Sequence, residues 1–218
     1  MDIIHQFIDT FLKLDYETAA AYISKYGNAI YLILFLIIFI ETGVVIWPWL
    51  PGDSLLFLAG TFAAIGSLNI VLLILVCIVA AILGNSSNYI IGRFFGQRAM
   101  QIKFRGKVLV KQEYLDRTHT FYEKYGPNTL IITRFVPIIR TIAPFVAGIG
   151  KMTYGKFTTF NILGAIIWVP SMTLLGYFLG NNDFVKEHFE YVALGIIFIS
   201  VLPIFIGLIK HKMKKPAK

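Results

Sequence analysis

Five stretches of the chain, residues 29–40, 50–65, 68–83, 157–179 and 189–209, are mainly apolar. A span of the hydrocarbon core takes about 20 mainly apolar residues; the stretches at 157–179 and 189–209 reach that length, and those at 50–65 and 68–83 come close to it. The helices of a soluble core would carry polar faces, which these stretches lack. The chain is therefore expected to be an all-α integral membrane protein that crosses the bilayer several times.

Other features narrow the class. The single cysteine, Cys77, lies inside an apolar run, so a buried inert thiol is expected and no intramolecular disulfide can form. Met1-Asp2-Ile3 starts without a basic or apolar leader, so no cleaved signal peptide is expected. The net charge of +8 is placed as an anionic lipid surface would require, which argues against nucleic acid as a partner. His5, His119, His188 and His211 are scattered, and no nucleotide loop, zinc spacing or Ser/His/Asp arrangement is present. The reading is not an enzyme, with no cofactor and no metal.

Charge asymmetry orients the chain. Residues 93–124 carry eight bases (Arg93, Arg98, Lys103, Arg105, Lys107, Lys111, Arg117, Lys124) against Glu113, Asp116 and Glu123. The tail 210–218 holds five lysines and no acid. By the positive-inside rule both are cytoplasmic, with the C-terminus inside. The nearly neutral loop at 181–188 suits the outer side, and so does the N-terminal segment, whose bases are Lys13 and Lys25. Within residues 1–25, Ile4, Phe7, Ile8, Phe11 and Leu12 recur at helical spacing between acids, as in an amphipathic helix. It either lies at the interface or packs on the protein.

These orientations force a further inference. Residues 127–150 leave a cytoplasmic loop, and Lys151 and Lys156 precede a span that must run outward. The segment thus enters and leaves on one side. Its 24 residues are too few for two crossings, and Pro137 and Pro144 interrupt it, so a re-entrant helix hairpin is expected. Residues 29–66 likewise start and finish outside, broken at Trp47-Pro48-Trp49-Leu50-Pro51-Gly52. Length leaves open whether this first pair crosses fully.

Short matches relate the two halves: Tyr26-Gly27 with Tyr125-Gly126, Leu50-Pro51 with Val136-Pro137, Ala59-Gly60 with Ala147-Gly148. Ile82-Leu83-Gly84 matches Ile162-Leu163-Gly164, and the Gly92/Gly96 pair matches Gly176/Gly180, these last two pairs being read as sites of close helix packing. The fold expected is an inverted repeat of two re-entrant helix hairpins, each followed by a transmembrane helix, plus a C-terminal transmembrane helix. Its parts are an amphipathic helix at 1–25, a first repeat at 26–96 and a basic cytoplasmic segment at 97–124. A second repeat at 125–180, a span at 189–209 and the basic tail at 210–218 follow.

Four charges then stand at membrane depth: Glu41, Asp53, Arg134 and Arg140. Each costs at least about 2.5–3.5 kcal/mol there. The acids lie on one hairpin and the arginines on the other, so they are expected to face one another across a hydrated cavity. Arginine's planar donor fork matches phosphate oxygens, and broken helices aim free N–H groups at an anion. Carboxylates in such a site can take up protons. The constellation suggests an anionic headgroup site with titrating acids. The competing reading is a pair of structural ion pairs stapling the hairpins.

At these residues the chain resembles the bacterial DedA family, membrane proteins sharing the VTT (SNARE-associated) domain. The resemblance rests on Glu41-Thr42-Gly43, Leu50-Pro51-Gly52-Asp53-Ser54-Leu55, Asn88-Tyr89-Ile90-Ile91-Gly92-Arg93, Arg134-Phe135-Val136-Pro137-Ile138-Ile139-Arg140-Thr141, and Ala143-Pro144-Phe145-Val146-Ala147-Gly148. It implies a flippase of the bacterial inner membrane that returns undecaprenyl phosphate, or another anionic lipid, to the cytoplasmic leaflet for envelope synthesis. It also implies dependence on the proton motive force. Glu41 and Asp53 then serve proton coupling, while Arg134 and Arg140 bind the lipid phosphate. Asn85 is a departure, since relatives can carry Asp there; this leaves the proton route open. Partners are then the lipid, protons and the bilayer, with a homo-oligomer neither required nor ruled out. A proton-coupled ion or drug transporter and a structural membrane-homeostasis factor are the alternatives.

Overall fold

Apolar side chains cover most faces of the long helices, so glycine, proline and short polar turns set the element boundaries rather than amphipathic period. The computed structural model describes residues 27–43, 52–99, 103–104, 107–108, 126, 128–180 and 182. The expected amphipathic helix at 1–25, the break at 47–51, the span at 189–209 and the tail at 210–218 lie outside the described residues. So does most of the basic segment at 97–124.

The elements are α1 (Asn28–Gly43), α2 (Gly52–Ala64), α3 (Ile70–Ala99), β1 (Lys103–Phe104), β2 (Lys107–Val108), α4 (Thr129–Ile132), a 3-10 turn (Thr133–Phe135), α5 (Pro137–Ile149) and α6 (Tyr154–Gly180). The strands form an antiparallel ladder, Lys103 opposite Val108 and Phe104 opposite Lys107. This short ladder lies within the basic segment, and the other described elements are helical, as expected. Only Arg105 and Gly106 separate the two strands in sequence, a spacing that suits a tight hairpin.

Among the described residues, two helices are long and apolar enough to cross a bilayer, over Ile70–Phe94 (mean hydropathy 2.6) and Tyr154–Gly180 (1.8). By contrast α1, α2 and α5 have 16, 13 and 13 residues. At 1.5 Å per residue they measure about 20–24 Å, short of the roughly 30 Å hydrocarbon core.

The chain divides into two compact units. One comprises Met1–Leu32, Pro51–Leu73 and Met172–Lys218; the other comprises Ile33–Leu50 and Ile74–Ser171. In the first unit α2 crosses the end of α6 at near-backbone contact. A Cβ on Gly60 would collide with the Thr173 carbonyl, and one on Gly176 with the Phe57 carbonyl. The Thr61 hydroxyl donates across this crossing to the Gly176 carbonyl at 3.3 Å. Beyond α2, Gly66 takes φ +82°, and Gly66 and Ser67 N–H return to the carbonyls of Ala63 and Phe62. Asn69 Oδ1 then accepts from Val71 and Leu72 N–H, both at 3.0 Å, capping α3.

The second unit uses the same devices. Here α5 crosses α3: a Cβ on Gly148 would meet the Tyr89 carbonyl, and one on Gly92 the Phe145 carbonyl. After α5 the chain turns at Lys151, φ 55°, with Lys151 and Met152 N–H returning to Gly148 and Ala147. Tyr89, Leu130, Ala143, Ala147 and Phe157 form the apolar cluster at this crossing. A second close crossing joins α1 to α3, where Gly84 faces Thr42 and the Phe39 carbonyl.

Large apolar side chains lie on the surface as well as in the core, and several charged and amide side chains are buried. Val71, Leu75, Phe94, Ile166, Leu175 and Phe178 are exposed, while Glu41, Asn85, Asn88, Arg134, Arg140, Thr141 and Asn161 are buried. Apolar surface of this extent is stable where lipid rather than water surrounds it.

Candidate functional site

The site begins with a helix break. Pro137 opens α5 and forces Val136 into an extended conformation, φ −113° and ψ 105°. The 3-10 turn therefore stops, and α5 starts on the Val136 carbonyl, which accepts from Ile139 and Arg140 N–H at 3.0 and 2.9 Å. Arg134 and Arg140 thus sit on separate helical pieces on either side of the break. Both are buried, at 3% and 6% exposure, and both guanidinium groups approach the face of the fully buried Trp168. Their Cζ atoms lie 5.9 and 5.1 Å from its ring centroid.

The two arginines have different partners. Arg140 forms a buried ion pair through Nη2 with Oε1 of Glu41, at the C-terminal end of α1. Asn88 on α3 braces this pair from behind. Its Nδ2 donates to the carbonyls of Thr42 (3.2 Å) and Thr141 (2.7 Å), the residues that follow Glu41 and Arg140. One amide thereby fixes the spacing of both chain segments that carry the pair.

Arg134 has no carboxylate partner among the described residues. Its Nη2 donates to the Asn161 carbonyl at 3.0 Å and to Asn161 Oδ1, and its buried Nε finds no acceptor. Asn161 is held in turn: its Nδ2 donates to the Ile82 carbonyl (3.0 Å) and to Ser86 Oγ (3.2 Å). The Oδ1 that faces Arg134 also accepts from Asn85 Nδ2 at 3.2 Å. Turning the amide over would aim N–H groups at a guanidinium, so the network fixes its orientation. The guanidinium is thus cradled by neutral oxygens, with no described carboxylate beside it.

Three of the four charged residues singled out in the sequence, Glu41, Arg134 and Arg140, belong to one unit. Asp53 belongs to the other, half-buried in the first turn of α2, where the helix dipole favours a carboxylate. Four further participants did not stand out in the sequence as site residues: Asn88, Asn161, Gly164 and Trp168. A signal for three of them exists, since Asn161, Gly164 and Trp168 fall at i, i+3 and i+7 of an otherwise apolar span and share a face. Among the described residues, no three His, Cys, Asp or Glu side chains gather as a metal site would need.

The chain is similar to known proteins over most of its length. The VTT domain model matches residues 50–178, a range that contains Asp53, Arg134, Arg140, Asn161 and Trp168. Protein DedA of Escherichia coli is 45% identical over 214 residues, covering 97% of this chain and 96% of the relative. An uncharacterized membrane protein of Mycobacterium leprae is 42% identical over 171 residues, 78% of this chain and 76% of that one. Inner membrane protein YqjA of Escherichia coli is 32% identical over 208 residues, 95% and 93% of the two chains. No solved structure matches.

Proposed function

This chain is a membrane protein of the DedA family, which carries the VTT domain, and from that premise we propose that it moves an anionic lipid between leaflets. The cargo of this reading is undecaprenyl phosphate, carried across a bacterial inner membrane in support of envelope synthesis. One observation carries it: Arg134 is buried on neutral acceptors with its charge unmatched by any described carboxylate. A charge held at that depth is expensive, and an arriving phosphate is the counter-ion that would offset it. Glu41 and Asp53 act as the proton-coupling groups. Protonation of Glu41 would weaken its ion pair with Arg140, which couples proton uptake to the charge balance beside Arg134.

The fold in this reading is an inverted repeat. Its support is the recurrence of one crossing, Gly60 on Thr173 in one unit and Gly148 on Tyr89 in the other, at matched places of the two sequence halves. The short α1, α2 and α5 serve as arms of re-entrant hairpins, and the positive-rich segments face the cytoplasm.

A structural role has one observation in its favour, the direct Glu41–Arg140 pair, which is what a staple between α1 and α5 would look like. The deciding measurement is a leaflet assay on the purified protein in liposomes containing undecaprenyl phosphate. Lipid movement above protein-free liposomes, quickened by an imposed pH gradient, is expected. Arg134→Lys keeps the charge but loses the fork, and should weaken phosphate-lipid binding about tenfold to a hundredfold. Ion flux without lipid movement would replace this reading with the ion-transport one, and neither activity would leave the structural one.

A further inference from the structure

We infer that the α6 face formed by Asn161, Gly164 and Trp168 is a positioning cradle that aims Arg134 while leaving its charge available to a phosphate. The inference rests on the function proposed above and assigns a task to residues outside the charged set. Three contacts compose the cradle. At one end Asn161 offers Arg134 Nη2 two neutral oxygens, its carbonyl and its Oδ1. In the middle Gly164 leaves a slot for the arginine stem: a Cβ there would stand 2.7 Å from Arg134 Nε and 2.8 Å from Cδ. At the other end the indole of Trp168 faces the guanidinium carbon at 5.9 Å.

The choice of an amide at position 161 is the informative part. A carboxylate there would bind the guanidinium more strongly, since a full opposite charge attracts it more than an amide dipole does. It would also serve as a permanent internal counter-ion, and an incoming phosphate would have to compete with it. The amide does the opposite, orienting the fork without matching its charge. Its own Nδ2 is committed to the Ile82 carbonyl and Ser86 Oγ on α3, so the oxygen cannot swing away. The Asn161 amide is committed to protein partners at both ends, its Oδ1 to Arg134 and Asn85 and its Nδ2 to Ile82 and Ser86, which makes it a positioning residue rather than a headgroup ligand.

The test uses the full chain purified in detergent, with farnesyl monophosphate as the probe and farnesol as its uncharged control. Wild type should prefer the phosphate. Asn161→Asp should lose that preference by about tenfold to a hundredfold, because the new carboxylate occupies Arg134. Gly164→Ala should weaken phosphate binding and spare farnesol, because it displaces the arginine and leaves Asn161 in place. Asn161→Ser keeps a neutral acceptor and should retain the preference within about fivefold. Thermal melting of each variant separates folding from binding. Asn161→Asp and Gly164→Ala that bind the phosphate like wild type would overturn the cradle and leave the lipid-phosphate reading standing. So would an Asn161→Ser loss as deep as that of Asn161→Asp, since a neutral acceptor would then not suffice. If Asn161→Asp does not fold, the Gly164→Ala result decides alone. Wild type without any preference for the phosphate would overturn the function reading, and the cradle with it.

Discussion

Arg134 and Arg140 are six positions apart, yet the chain break at Val136-Pro137 gives them unlike surroundings. Arg140 meets a carboxylate, and Arg134 meets an amide. The difference leads to a stability prediction. Breaking a buried ion pair by removing one partner costs about 3–5 kcal/mol, whereas replacing both with apolar groups is often neutral. Arg140→Met and Glu41→Leu should therefore each lower the melting temperature sharply in detergent. The double variant should melt near wild type yet fail to move the lipid. A double variant that transports normally would mean that the pair serves packing alone. The charged residues were legible in the sequence because each interrupts an apolar run where a charge is costly. Asn88, Asn161 and Trp168 were not, because an amide or an indole, even on a shared helix face, does not name the partner it will meet. Those partners, Thr141 for Asn88 and Arg134 for Asn161, lie far off in the chain.

Between elements, packing is governed by glycines where two backbones touch. Gly60 abuts the Thr173 carbonyl in one unit, and Gly148 abuts the Tyr89 carbonyl in the other. Neither neighbour is a flexible side chain that could swing aside. Gly60→Val and Gly148→Val should each push the helices apart at a cost of about 1–3 kcal/mol or more, seen as a lower melting temperature. Gly155→Ala is the control, since no atom lies within 4 Å of a Cβ there and it should melt with wild type. Equal melting of all three variants would show that the crossings tolerate expansion. Close packing at Gly92 and Gly176, the opposite sides of these crossings, was legible from the paired Gly-xxx-Gly motifs, and the break at Pro137 from proline's effect on its neighbour, while Gly60 and Gly148 were legible only as matched positions. The end of α5 was not, because its left-handed turn falls on Lys151 where a glycine would have announced it. The ladder of β1 with β2 was hidden for another reason. Two residues per strand are too few to show an alternating pattern.

At the scale of the molecule, the distribution of polarity identifies the surrounding medium. Large apolar side chains such as Val71 and Phe178 point outward, while amides, hydroxyls and charges are gathered inside. The membrane class was legible from apolar blocks alone, but the polar interior was not, since long apolar helices look alike on every face until they are packed. The direction of crossing still rests on charge: the bases of 93–124 and of 210–218 against the neutral loop at 181–188. Single-cysteine labelling tests it. Cys77 is buried and free, so a Cys77→Ala background removes the one native thiol at little risk to the surface. Cysteines introduced at positions 110 and 215 should react with a membrane-impermeant maleimide only after the cells are opened. One at position 184 should react in intact cells. The three positions are not independent. Position 110 precedes α4 and the break at Pro137, so its side decides whether residues 127–150 enter from the cytoplasm. It decides equally whether α6 runs outward toward position 184. Strong labelling at 110 in intact cells would therefore reverse α6 and the second hairpin together. It would also turn the basic segment toward the outer surface, against the charge rule. Labelling at 184 alone places that loop outside, with α3 and α6 crossing in opposite directions, and makes the Arg134 break an opening from the cytoplasmic side.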